Sequence, residues 1–181
     1  MQPWFIATEK FSARSGDAWR KYIEWSGLRQ LDEVVSLDPM LCPTLLQTIK
    51  DEYWPHIVNE DFALNFFVDL DFLLNQLKLA NVADYSLLCV TRNPHSDPAP
   101  TIDSIAFEFL GYDLVDVGGS ASALTNCGGF PLAFSNSELS PKGLVSNLPR
   151  ALEVQANLRA FYPAEHHANC HVWSISRASA L

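Results

Sequence analysis

Apolar residues in this chain follow two rhythms. They alternate or run unbroken where a strand is expected, and recur every three or four residues where a helix is expected. PWFIATEKF (3–11) is aromatic and branched, with polar Thr8, Glu9 and Lys10 at its far end, and reads as a first strand. Ser15 or Asp17 then opens a helix with Trp19, Tyr22, Ile23 and Ser26 on one face and Gly27 as its stop. LDEVVSL (31–37) sets Leu31, Val35 and Leu37 on one side of a second extended segment that ends at Pro39. Pro43 suits a first helical turn, and Leu45, Leu46, Ile49 and Tyr53 form a stripe, so a short helix is expected up to Trp54 and Pro55.

EDFALNFFVDLDFLLNQLKLAN (60–81) is mixed. Leu70, Leu73, Leu74 and Leu77 keep the helical repeat behind Asp69 as a cap, while 60–68 fits either a buried strand ending at Val68 or an extension of that helix, the strand being preferred. YSLLCVTR (85–92) and TIDSIAFEFLGY (101–112) are the clearest strands, and the prolines of NPHSDPAP between them predict an exposed hairpin loop. Extended pieces are also expected at 112–117 and 123–127, then a loop-like stretch over 128–143. A helix follows, opened by Ser146 or Asn147 with Pro149, carrying Leu148, Ala151, Leu152, Gln155, Leu158 and Phe161 inward and closed by Pro163. CHVWSIS (170–176) alternates as a final strand.

About six strands and four helices, without strict alternation, predict an α+β fold: a single domain over residues 1–181, its largely antiparallel sheet covered by helices. The length and a hydrophobic share of 48% suit one packed core. No apolar run is long enough to span a bilayer, MQPWFIATEK lacks a cationic leader, and the four cysteines are widely spaced. A reduced, cytoplasmic protein off the membrane is the expectation, with Cys89 a small core residue.

Charge changes this picture. The net charge is -9, and the surplus is concentrated: residues 31–140 hold 16 acidic groups against three basic ones. Such a field repels phosphate backbones, so nucleic acid is not an expected partner. It suits a basic protein partner instead, with Asp51, Glu52, Glu60, Asp61, Asp69 and Asp71 as the candidate docking residues.

Two stretches carry candidate chemistry. EHHANCHVW (165–173) crowds His166, His167 and His171 around Cys170, and His167 with Cys170 has a zinc-type spacing, but no second pair stands elsewhere in the chain. TNCGGFP (125–131) places Cys127 before two glycines, where a turn could expose a thiol nucleophile if His166, His167, His171 or His95 came beside it. The carboxylates near Asp69 have no calcium-loop spacing and suit helix capping, and VGGSASAL (117–124) lacks the lysine of a phosphate loop. With no complete motif, neither a cofactor nor a metal is expected. The reading that follows is a non-enzymatic, acidic protein-binding module, such as an immunity-type inhibitor of a basic toxin. The alternative is a thiol- or metal-dependent hydrolase using Cys127 with a histidine of the 166–171 segment.

Overall fold

The computed structural model describes residues 3–58, 62–96, 101–102, 105–127 and 129–179. Its main sheet is built from β1 (Trp4–Glu9), β4 (Tyr85–Arg92), β5 (Thr101–Ile102), β6 (Ile105–Asp116) and β7 (Cys170–Ala178) in the order β1-β4-β7-β6-β5, with every pairing antiparallel. β2 (Phe11–Ser12) and β3 (Glu33–Val34) form a small second sheet. The helices are α1 (Asp17–Ser26), α2 (Leu70–Lys78) and α3 (Leu148–Phe161), with short 3-10 turns between elements. The α+β class and antiparallel sheet are those the sequence pattern predicts.

Register assigns the faces. Phe5, Cys89 and Ser176 align across β1, β4 and β7, and this face carries Phe5, Ala7, Leu87 and Cys89 against Leu70, Leu73 and Leu77 of α2. On the same face Tyr112, Leu114 and Val172 pack under Trp19 and Tyr22 of α1 and under Leu148, Ala151, Val154 and Leu158 of α3. The helices therefore segregate to one side, as an antiparallel sheet allows. The opposite face, with Ile6, Val90, Trp173 and Ile175, is covered by irregular chain through Val35, Leu37, Leu64, Phe66 and Leu144.

Local signals fix several ends as expected. Gly27 closes α1 in the left-handed region at φ 70, Asp69 accepts the Phe72 amide at the start of α2, and Asn147 accepts the Arg150 amide at the start of α3. Elsewhere long-range pairing overrides the local pattern. The helix expected from Pro43 to Trp54 is absent. This stretch instead runs beside β1, with the Glu9 amide donating to the Pro43 carbonyl and the Leu45 amide to Ala7, and only Asp51–His56 coil as a 3-10 turn. Satisfying the open edge of β1 outweighs a helix that would leave those groups to water.

Phe67 does the same further along: its amide and carbonyl both bond to Phe5, so the stretch before α2 is neither a helical extension nor a full strand. Residues 59–61 lie outside the described residues. The strands at 85–92 and 101–112 are not hairpin partners, because β7 sits between β4 and β6. The second of them begins at Ile105 and continues unbroken to Asp116, taking in the piece expected at 112–117, while residues 123–127 form turns rather than a strand. Of the loop between the two strands, 97–100 lies outside the described residues.

β6 bulges between Phe109 and Gly111. Gly111 has φ 143, and a Cβ there would lie 2.7 Å from the Val145 carbonyl oxygen and 2.9 Å from the Leu144 Cβ. Gly111→Ala is therefore expected to cost about 2–3 kcal/mol through strain and overpacking. A lowered urea midpoint with unchanged slope would check this.

Candidate functional site

The site begins with buried carboxylates. Asp113 on β6 accepts the Ser36 and Ser122 hydroxyls at 2.7 and 2.6 Å and the Leu37 and Leu114 amides at 3.0 and 2.9 Å. Burial pushes its carboxyl above the usual range against the pull of those donors, and the charge of Asp38 adds to the rise. Asp38 accepts the Met40 and Leu41 amides on one oxygen, and on the other the Ser122 amide at 3.0 Å and the Asn126 side-chain amide at 2.7 Å. Asp116, at the end of β6, folds the next loop back by accepting the Ser120 and Ala121 amides at 2.7 and 2.8 Å. Residues 122–126 are thus held from beneath by two carboxylates, and from α1 by the Tyr22 hydroxyl donating to the Thr125 carbonyl at 2.8 Å. The next residue is Cys127.

The second arm is the 3-10 turn His166–Asn169, which leads directly into β7. The Val117 amide donates to the Asn169 carbonyl at 3.0 Å and ties this turn to the end of β6. His167 is fully buried, with its ring 5.5 Å from Phe130 and 3.8 Å from the ring of exposed His166. Cys127 Sγ lies 3.2 Å from His167 Nε2 and 3.7 Å from Nδ1. One ligand atom each from Cys127, His166 and His167 falls within 4.8 Å of the other two.

The local field keeps the pair uncharged. Burial pushes the Cys127 thiol up to about 11, with the negative charges of Asp38, Glu165 and Asp116 adding to the rise. Burial pushes His167 down to about 4, helped by His166. Asp116, a hydrogen bond to the Ala121 backbone and Glu165 oppose that shift without overcoming it. Cys127 lines a crevice of about 10 Å³ with Trp25, Thr125, Gly129 and Asn136, room for about one water.

This cluster overturns the expectation of a non-enzymatic acidic docking module. A half-buried thiol and paired imidazoles, brought together from segments 40 residues apart, form a cluster that could hold a metal ion. The acidic surplus also contributes less surface field than its count implies. Asp38 and Asp113 are fully buried, Asp116 is nearly so, and Glu33 is bridged by Lys142 at 2.7 Å and Arg177 at 2.5 Å. Of the six docking candidates, Asp69 caps α2 and pairs with His56 at 2.8 Å, Asp71 is exposed in the first turn of α2, and Asp51 and Glu52 are exposed in the 3-10 turn. Glu60 and Asp61 lie outside the described residues.

The expected spacing of His167 with Cys170 does not make a site, since Cys170 packs into the core with Val172 and Leu158. His171 stands apart as well, bonded through Nδ1 to the Asn93 side-chain amide at 3.1 Å. Asp38, Asp113 and Asp116 are the supporting residues that sequence reasoning missed. Their signal is an acid embedded in an apolar run, as in VVSLD and YDLVD. Among the described residues no helix is long and apolar enough to cross a membrane. No protein-family model, no curated protein and no solved structure matches the chain.

Proposed function

We propose that the chain is a metal-dependent hydrolase in which Cys127, His166 and His167 hold a zinc-type cation. The observation that carries this reading is the convergence of one sulfur and two imidazoles within 4.8 Å of one another. One thiolate and two neutral imidazoles suit zinc, and catalytic zinc centres use three protein ligands with a fourth position left open. Ordinary zinc bond lengths put a sulfur and a nitrogen roughly 3.5 Å apart across a tetrahedral site. The separation of Cys127 Sγ from His167 Nε2, 3.2 Å, lies within about 0.3 Å of that value.

The surroundings favour the same reading. Asp38, Asp116 and Glu165 oppose a bare thiolate, but the same charges stabilise a cation. A cation held there would supply Lewis-acid chemistry to a hydrolysis. Water is the only co-reactant: its oxygen bonds to the electrophilic centre, the bond to the leaving group breaks, and the leaving group takes a proton. All four cysteines are free thiols, which supports a reducing, cytoplasmic compartment.

The 3.2 Å contact of Cys127 with His167 favours a second reading, thiol catalysis without metal. Elemental analysis of chain purified without a metal-binding tag, paired with alkylation by iodoacetamide, separates the two. The metal reading expects one zinc per chain and a Cys127 that zinc protects and chelation exposes. A metal-free chain whose Cys127 alkylates rapidly well below pH 8.5, in a manner lost in His167→Ala, would transfer the assignment to thiol catalysis.

A further inference from the structure

Three grooves of comparable size open on the described surface. Two of them, of about 500 and 470 Å³, share Lys10, Glu33 and Tyr85, and there Glu33 already answers Lys142 and Arg177. The third, also about 500 Å³, differs in charge. In a chain of net charge -9, no Asp or Glu lines it among the described residues, while Arg159, His95 and His171 all border it.

Its floor follows from α3. Leu148, Leu152, Gln155 and Arg159 recur at helical spacing along one side of the groove. The sequence pattern predicts Leu152 and Phe161 inside, yet the core takes Val154, and Leu152 is left 47% exposed beside the half-exposed Val117. Arg159 is exposed, and no carboxylate pairs with it among the described residues.

The opposite wall is held in place by backbone. Asn93 sits at φ 47, in the left-handed region that asparagine tolerates, with its amide on the Val172 carbonyl at 2.7 Å and its side chain on the Val172 amide and on His171. Gln155 donates to the Cys170 carbonyl at 2.7 Å. The groove is therefore mixed in character, with Val117, Leu148 and Leu152 as its apolar part and Asn93, Gln155 and His171 fixed by hydrogen bonds.

We propose that this groove binds an organic anion with an apolar body, its negative end on Arg159 and its body against Val117, Leu148 and Leu152. Charge complementarity selects this occupant: the chain is acidic as a whole, and among the described residues no acid lines the groove where a guanidinium and two exposed apolar side chains meet. The proposal does not rest on the metal reading of Cys127.

Octanoate is the probe, titrated into the full chain by calorimetry, with octylammonium and octanol as controls. One saturable octanoate site is expected, with octylammonium not binding and octanol binding more weakly. Arg159→Gln should weaken octanoate by about tenfold to a hundredfold, the range of one charge-assisted hydrogen-bond pair. Leu152→Glu, which puts an acid into the groove, should abolish binding. Both residues are exposed, so the circular dichroism spectrum and zinc content should match the parent chain. Absence of a saturable signal at millimolar octanoate, equal binding of octylammonium or octanol, or full affinity in Arg159→Gln would each overturn the proposal.

Discussion

Cys127→Ser and His167→Ala are each expected to lose the stoichiometric zinc proposed for the parent chain, and with it any stabilisation by zinc. A ligand present at a thousand times its dissociation constant stabilises the native state by about 4 kcal/mol, which for a chain of this size corresponds to roughly 10 °C in melting temperature. That rise is expected on adding zinc to the parent chain and is expected to vanish on chelation. Either substitution removes an inner ligand, so its cost should exceed the roughly tenfold to hundredfold loss typical of outer partners. His166→Ala should cost less, because His166 is exposed and water can take its place. The Cys127 thiol, pushed up to about 11, is protonated at neutral pH, so zinc uptake should release about one proton from it. Titration calorimetry in two buffers of different ionisation heat reads both the affinity and that proton. Equal zinc affinity in the parent chain and in both variants would remove the metal reading.

The second large effect is structural. Asp113→Ala leaves the Ser36 and Ser122 hydroxyls and the Leu37 amide without their acceptor in a fully buried position. Breaking a buried polar network of this kind costs about 3–5 kcal/mol, a large part of the stability of an ordinary domain. Asp113→Asn keeps one acceptor oxygen and should cost clearly less. A pH dependence accompanies this. Because the folded carboxyl lies above its ordinary value of 3.8, the native state binds the proton more tightly than the unfolded chain. The associated stability is full below 3.8 and is lost as pH rises through the folded value, and Asp113→Asn should flatten that slope. Urea unfolding at several pH values measures both effects, and an Asp113→Ala loss under about 1 kcal/mol would show the network to be dispensable.

The elements legible in the sequence are those whose cause is local. α1 with Gly27, α2 with Asp69 and α3 with Asn147 carry their period and their stop or cap within one stretch, as β4 and β7 carry their run of apolar residues. What could not be read depends on distant partners. The 43–53 stretch has a helical stripe, but β1 claims its backbone, and the exchange of Leu152 for Val154 in the core reflects how α3 is rotated against the sheet. The site divides in the same way. Cys127 at its turn and the histidine pair can be singled out separately, whereas their meeting depends on β6 and β7 lying side by side. The buried acids misled the charge count, since Asp38 and Asp113 add to a formal sum while facing no solvent.

β7 is the central strand of the sheet, yet it follows all its neighbours along the chain. During synthesis β1, β4, β5 and β6 all precede β7, so the margins of β4 and β6 that it pairs lack their partner until residues 170–178 leave the ribosome. A chain stopped short of that strand would present two adhesive edges to other nascent chains. The same insertion delivers His166 and His167 to Cys127, so metal capture would act as a latch that closes only on molecules that have finished folding.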